Sequence, residues 1–190
     1  ALITGACSFY AFDIIEHTNI EKNIKIFDEL VDLYKNKEKI PHGKDFNRVK
    51  PKLESYKFPS QILKDDYLKE MLSSSRLNQI KKAIINGTSG EFEVKYIVPW
   101  YNNTNLKNNS IDLIYSQAVM EHISDVGKAF KIMYKWLKKG GFISQEIDYS
   151  SHETHKLWYG HWTYPNWIWK IILNGRLYTI NRYPNSYYLR

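Results

Sequence analysis

A chain of 190 residues, 43% hydrophobic and 25% charged, holds enough apolar side chain for one domain with a buried core and is too short for two. No stretch approaches the run of about eighteen uncharged apolar residues that a membrane span needs, and Ala1 to Cys7 lack the basic start and apolar centre of a signal peptide. The single cysteine, Cys7, excludes an internal disulfide framework and a cysteine-based zinc site, so the composition reads as that of a reduced, cytoplasmic protein. The net charge of +7 invites a phosphate-bearing partner. The lysines do not cluster, however: Lys22, Lys25, Lys35, Lys50, Lys64, Lys81, Lys128 and Lys138 recur mostly between apolar helix positions, as on a solvated helix face. That spread argues against nucleic-acid binding.

The first residues read as the tail of a helix capped at Gly5. Ser8 to Phe12 is nearly all apolar and ends on Asp13, which suits a strand buried on both faces, as in a parallel sheet. Ile20, Ile24, Phe27, Val31 and Tyr34 recur at helical spacing, with Thr18 or Asn19 available as N-cap. From Lys35 to Pro59 the pattern breaks at Pro41, Gly43, Pro51 and Pro59, and residues 35–90 read as an insertion over one face of the sheet. Within it, one helix is predicted from Ser60, burying Leu63, Tyr67, Met71 and Leu72. A second buries Leu77, Ile80 and Ile84 and stops at Asn86-Gly87. Phe92, Val94, Tyr96 and Val98 alternate as a strand closed by Pro99. Ile111 to Tyr115 reads as another buried strand. Ser124 is placed to cap a helix with the stripe Val126, Ala129, Phe130, Met133, Trp136 and Leu137; Lys138-Lys139 suit its negative end, and Gly140-Gly141 stop it. Phe142 to Ile147 is the next strand. Strand–helix alternation of this kind predicts an α/β fold with a parallel sheet and helices on both faces.

Ligands of open α/β sheets bind outside the carboxyl ends of the strands. The residues there are Asp13, then Pro99-Trp100-Tyr101, then Ser116-Gln117-Ala118, then Asp148 to His152. An acid at the end of the second strand of a nucleotide-binding unit accepts hydrogen bonds from ribose hydroxyls. Asp13 suits that role, or else caps the helix near Thr18.

The span Ser110-Ile111-Asp112-Leu113-Ile114-Tyr115-Ser116-Gln117-Ala118-Val119-Met120-Glu121-His122, a helix, then Trp136-Leu137-Lys138-Lys139-Gly140-Gly141 resembles the small-molecule class I S-adenosylmethionine-dependent methyltransferases. Their run usually reads "DLI…LEH…D…LKPGG"; Met120 and Lys139 are mild departures. Phe9 to Asp13 extends the resemblance, and Ser144 to Asp148, Ser151-His152 and Gly160-His161-Trp162 look like a bacterial branch of unassigned acceptor. The resemblance implies a Rossmann-like domain over 1–190, S-adenosylmethionine as cofactor, and methyl transfer to a small-molecule, glycan or lipid-precursor acceptor. It also implies that the family's glycine-rich loop and first strand lie upstream of Ala1 and its last strands beyond Arg190. This stretch by itself is then expected to bind the cofactor poorly and to be inactive.

By the resemblance, Asp13, Ser116, Gln117 and His122 face the cofactor. Gln117 is placed to hydrogen-bond cofactor or acceptor, with a solvent-facing helix-start residue as its plain alternative, and His122 reads equally as a structural histidine at a helix start. Asp148, His152 and His161 are the base candidates, since imidazole titrates near neutral pH and a nearby carboxylate can orient it. His152 is the preferred one, with a turn-stabilising hydrogen bond as its plain alternative. Trp158, Tyr159 and Trp162 could shield a pocket there. His152, His155, His161 and Glu153 match no defined metal spacing, and no metal is assigned. Two other functions fit the same fold: an RNA methyltransferase, motivated by the charge, and a non-catalytic scaffold, motivated by the absent loop.

Overall fold

The structure is a computed structural model that describes residues 1–43, 52–100, 106–174 and 179–189. The chain forms two compact units, Ala1–Asn103 and Thr104–Arg190.

In the first unit, a 3-10 turn at Leu2–Thr4 ends on Gly5, whose φ of 119° lies in the left-handed region. Strand β1 (Ser8–Phe12) and strand β3 (Phe92–Ile97) pair in parallel, Ser8 opposite Glu93 and Phe12 opposite Ile97; the short β2 (Thr88–Ser89) adds antiparallel to β3. Helix α1 (Ile20–Lys35) starts where Asn19 accepts a hydrogen bond from the Lys22 amide at 2.8 Å. Of its apolar stripe, Phe27 and Val31 are buried. Helix α3 (Ser74–Asn86) buries Leu77, Ile80 and Ala83, and with Ile3 and Phe92 these residues build the core of the unit.

Two expectations for this unit need correction. The helix predicted from Ser60 begins at Asp65 instead, as α2 (Asp65–Met71). Residues 59–63 close a turn in which the Ile62 and Leu63 amides donate to the Pro59 carbonyl, so the chain reverses before the helix starts. Its buried residue is Leu68, whereas Tyr67 is exposed. β1 is only partly buried, because among the described residues it is the edge strand of its sheet, with β3 as its one neighbour. Residues 44–51 of the predicted insertion lie outside the described residues.

In the second unit, β4 (Ile111–Gln117) pairs in parallel with β5 (Leu137–Glu146), Ser116 opposite Gln145 and Gln117 opposite Glu146. A 3-10 turn at Met120–His122 joins β4 to helix α4 (Val126–Trp136). The cap of α4 is Asp125, not Ser124: its carboxylate accepts from the Lys128 amide at 2.9 Å. Val126, Ala129, Met133 and Trp136 form the buried stripe. β4 was expected to be buried, yet Leu113 and Tyr115 are exposed, since among the described residues β4 pairs with β5 alone.

The end of α4 also differs from the sequence reading. The chain turns extended at Leu137 and enters β5 without a glycine stop, so Lys138 and Lys139 belong to the strand. Lys138 pairs instead with Asp112 on β4 at 2.8 Å. The two glycines serve an irregularity in the β4–β5 register. Gly140 takes a φ of 83°, and a Cβ on Gly141 would stand 2.9 Å from the Asp112 carbonyl oxygen, too close for any side chain. Helices α5 (Asn166–Leu173) and α6 (Asn185–Tyr188) follow, with Trp169 of α5 buried. No helix among the described residues is long and apolar enough to cross a membrane.

Candidate active site

Asp13 leaves the carboxyl end of β1. Its backbone continues the pairing for one more step: its amide donates to the Ile97 carbonyl at 3.1 Å and its carbonyl accepts from the Trp100 amide at 2.8 Å. One carboxylate oxygen accepts from the Ile14 amide at 2.7 Å and the other from the Tyr96 hydroxyl at 3.1 Å. Asn19 caps α1, so Asp13 is not needed there. A carboxylate accepts at about four lone-pair positions, and two bonds leave acceptor capacity at the strand end. Burial is the main influence on the Tyr96 hydroxyl and raises its pKa; the hydrogen bond to Asp13 adds to this, so the phenol stays a donor.

In the second unit the site is built by the two segments that leave the carboxyl ends of β4 and β5. Ser116 donates to the Gln145 side chain across the strand pair, and Gln117 is exposed. The Ala118 amide donates to the Glu146 carbonyl at 2.9 Å. Ala118 has a φ of 51°, uncommon for a residue with a Cβ and typical of functional turns. That turn throws the chain into Met120–His122. Asn181 fixes the 3-10 turn from outside: its side-chain amide donates to the Met120 and Ile123 carbonyls, both at 3.0 Å, and its oxygen accepts from the Tyr188 hydroxyl at 2.9 Å.

After β5, Asp148 accepts from the Ser150 amide at 2.8 Å. His152 and Glu153 then both take positive φ, 44° and 63°, which folds the chain back tightly. The His152 Nδ1 bonds the Ser150 carbonyl at 2.9 Å, so the turn-stabilising contact is present. The opposite ring nitrogen, Nε2, stands 3.7 Å from an Asp148 carboxylate oxygen and 3.9 Å from one of Glu121. The His122 ring lies edge-on to that of His152, centroids 5.2 Å apart.

Glu121 escaped the sequence reading as a site residue. It is 3% exposed, and neither carboxylate oxygen receives a hydrogen bond of acceptable geometry. Burial raises its pKa; the nearby backbone amides of Glu121 itself and Asp148 and the imidazoles of His122 and His152 offset this only in part. Nothing in the local sequence separates a buried acid here from an exposed one, because its cover comes from segments far along the chain.

The structure thus brings Asp148, His152 and His122 together with Glu121, and it places Ser116 and Gln117 at the end of the adjoining strand. It does not make His161 accessible. His161 is 1% exposed, with ring centroids 5.7 Å from Trp162 and 6.1 Å from Trp169. Burial, with Arg182, His152 and His155 nearby, pushes its pKa down to about 4. His155 accepts from the Leu157 amide at 2.9 Å and so serves its own turn. Trp158, Tyr159 and Trp162, expected to shield a pocket, are exposed.

A family model described as a methyltransferase domain matches residues 48–144, just over half of the chain. The match includes β3, β4, the Met120–His122 turn and α4. No curated protein and no solved structure matches.

Proposed function

The chain belongs to the methyltransferase-domain family, whose methyl donor is S-adenosylmethionine, and we propose that its acceptor is a small molecule or a glycan or lipid precursor. The observation that carries this reading is the cluster of Asp148, His152 and Glu121 beside the carboxyl ends of β4 and β5. It is a compact set of titratable groups suited to one acceptor heteroatom.

When bound, the cofactor supplies an electrophilic methyl group on a sulfonium. Asp13, with spare acceptor capacity after its bonds to the Ile14 amide and Tyr96, is the residue we assign to the ribose hydroxyls. Ser116, Gln117 and His122 are assigned to the cofactor side of the second unit. His152 is the group that takes or directs the acceptor proton. Its Nδ1 is occupied by the Ser150 carbonyl, which leaves Nε2 as the working nitrogen. The Ser150 carbonyl on Nδ1 orients the ring, and Asp148, anchored by the Ser150 amide, has a carboxylate oxygen 3.7 Å from Nε2, where it favours the imidazolium formed when that nitrogen takes a proton. His161 is assigned a structural place, because burial keeps it neutral and out of reach. Holding acceptor and donor in line is the larger share of the chain's contribution.

The RNA alternative rests on net charge. Among the described residues, Lys37, Lys81 and Lys138 are paired with Asp65, Asp28 and Asp112, which reduces the cation available to a phosphate track. The test is methyl transfer from S-adenosylmethionine labelled in its methyl group to fractions of a cell extract. The label is expected in low-molecular-weight or solvent-extractable material. Label confined to ribonuclease-sensitive material would overturn the acceptor class.

A further inference from the structure

The Glu121 carboxyl is buried, and neither of its oxygens receives a hydrogen bond of acceptable geometry. An ionised carboxylate in such a place is costly unless a cation compensates it. Two imidazoles face it. The His122 Nδ1 is itself buried and without a hydrogen-bond partner. The His152 Nδ1 is engaged by the Ser150 carbonyl at 2.9 Å, and a backbone carbonyl can only accept, so the proton sits on Nδ1 and Nε2 carries the lone pair. A backbone carbonyl on the far nitrogen is also the usual support of a metal-binding histidine.

The spacing discriminates between a proton and a larger cation. At 3.9 Å from Glu121 and 3.7 Å from Asp148, Nε2 makes a hydrogen bond with neither. Two ligand atoms on one metal, each about 2.1 Å from it, stand between about 3.4 Å apart at the tetrahedral angle and about 4.2 Å apart when opposed. The Glu121–His152 gap falls within that interval. The ligand atoms of Glu121, His122 and His152 all lie within 4.8 Å of one another. A contraction of about 1 Å would close the set, and His152, exposed on its turn, is the member able to make it.

We propose that Glu121, His122 and His152 form a binding site for one divalent transition-metal ion of the zinc or cobalt class. Two imidazoles and one carboxylate with no thiolate suit such ions better than calcium or magnesium, which take oxygen ligands. Three protein ligands leave a fourth position for water or an acceptor oxygen, and an oxygen bound there loses its proton more readily. The site stands on these side chains alone; its use in methyl transfer rests on the acceptor-side reading above. In that case His152 is a positioning residue that acts through the ion, and His122 serves the ion and not the cofactor.

The test is titration of the chelator-treated full chain with cobalt(II), followed by visible absorption, with no cofactor or acceptor present. One cobalt per chain is expected, with the strong absorption of a four-coordinate site. Glu121→Gln and His152→Ala should each weaken binding at least about tenfold, while His42→Ala leaves it unchanged. His152 is exposed, so His152→Ala decides the matter if Glu121→Gln fails to fold. Absence of stoichiometric binding, or equal affinity in the His152→Ala variant, overturns the site. Loss of methyl transfer in His152→Ala without any cobalt binding would return His152 to the role of base and leave the acceptor-side reading intact.

Discussion

Burial, the Arg182 charge and the neighbouring imidazoles of His152 and His155 hold His161 at about 4, against its ordinary 6.5. The unfolded chain therefore takes up a proton at this residue as pH falls below about 6.5, whereas the folded chain resists until about 4. Between those values the unfolded state binds more protons, so stability rises with pH and is lost on acidification. Denaturant unfolding at pH 7 and pH 5 should show a loss of roughly 1–2 kcal/mol from this residue. His161→Gln should flatten that part of the profile, whatever its effect at pH 7. An unchanged slope in the variant would mean that His161 is not the group responsible. The neighbouring His152 illustrates a different setting: it is solvent-facing, with one nitrogen on the Ser150 carbonyl and the other facing the Asp148 and Glu121 carboxylates. Two histidines nine positions apart in sequence are thus given different work by their surroundings.

At the scale of elements, the turn Met120–His122 is the piece on which the site depends, and it holds little structure of its own. Asn181 supplies what is missing by bonding carbonyls at both of its ends. Asn181→Ala should cost about 1–3 kcal/mol, the scale of losing two side-chain hydrogen bonds to part-buried carbonyls. It should also lower methyl transfer, because Glu121 and His122 ride on that turn. Thermal unfolding beside initial rates checks this, and a variant of unchanged melting temperature and rate would show the clamp to be dispensable. Asn181 was invisible to sequence reasoning for a physical reason: a contact spanning about sixty residues leaves no local pattern. Local signals did carry the positions of β1, α1, α3 and β3 and the Asn19 cap of α1, though they overstated the burial of β1. They failed at the end of α4, where Lys138, Lys139 and two glycines imitate a helix stop while serving a strand irregularity. They failed again at Ser60, where a local turn outcompeted helix propensity. Among candidate site residues, the strand-end rule pointed to Asp13, Ser116, Gln117, Asp148 and His152, and the structure puts each at or just beyond the carboxyl end of a strand. Burial, which decides between Glu121 and His161, is a tertiary property.

Over the whole molecule, the family match and the site are complementary. The matched region, residues 48–144, contains the two strands β3 and β4 and the Glu121–His122 pair. Asp13 precedes it and His152 follows it. The chemistry assigned to those two residues therefore rests on where the structure puts them, at the carboxyl ends of β1 and β5. Initial rates of methyl transfer by the intact protein, over a range of S-adenosylmethionine concentrations, test both assignments together. Asp13→Ala should raise the KM for the cofactor by an amount equivalent to about 1–3 kcal/mol, the scale of hydrogen bonds to a charged group, and leave kcat nearly unchanged. His152→Ala should cut kcat by roughly a hundredfold, with the cofactor KM and the melting temperature little altered. Normal kinetics in both variants, or a loss of folding in His152→Ala that accounts for its lost activity, would contradict the account.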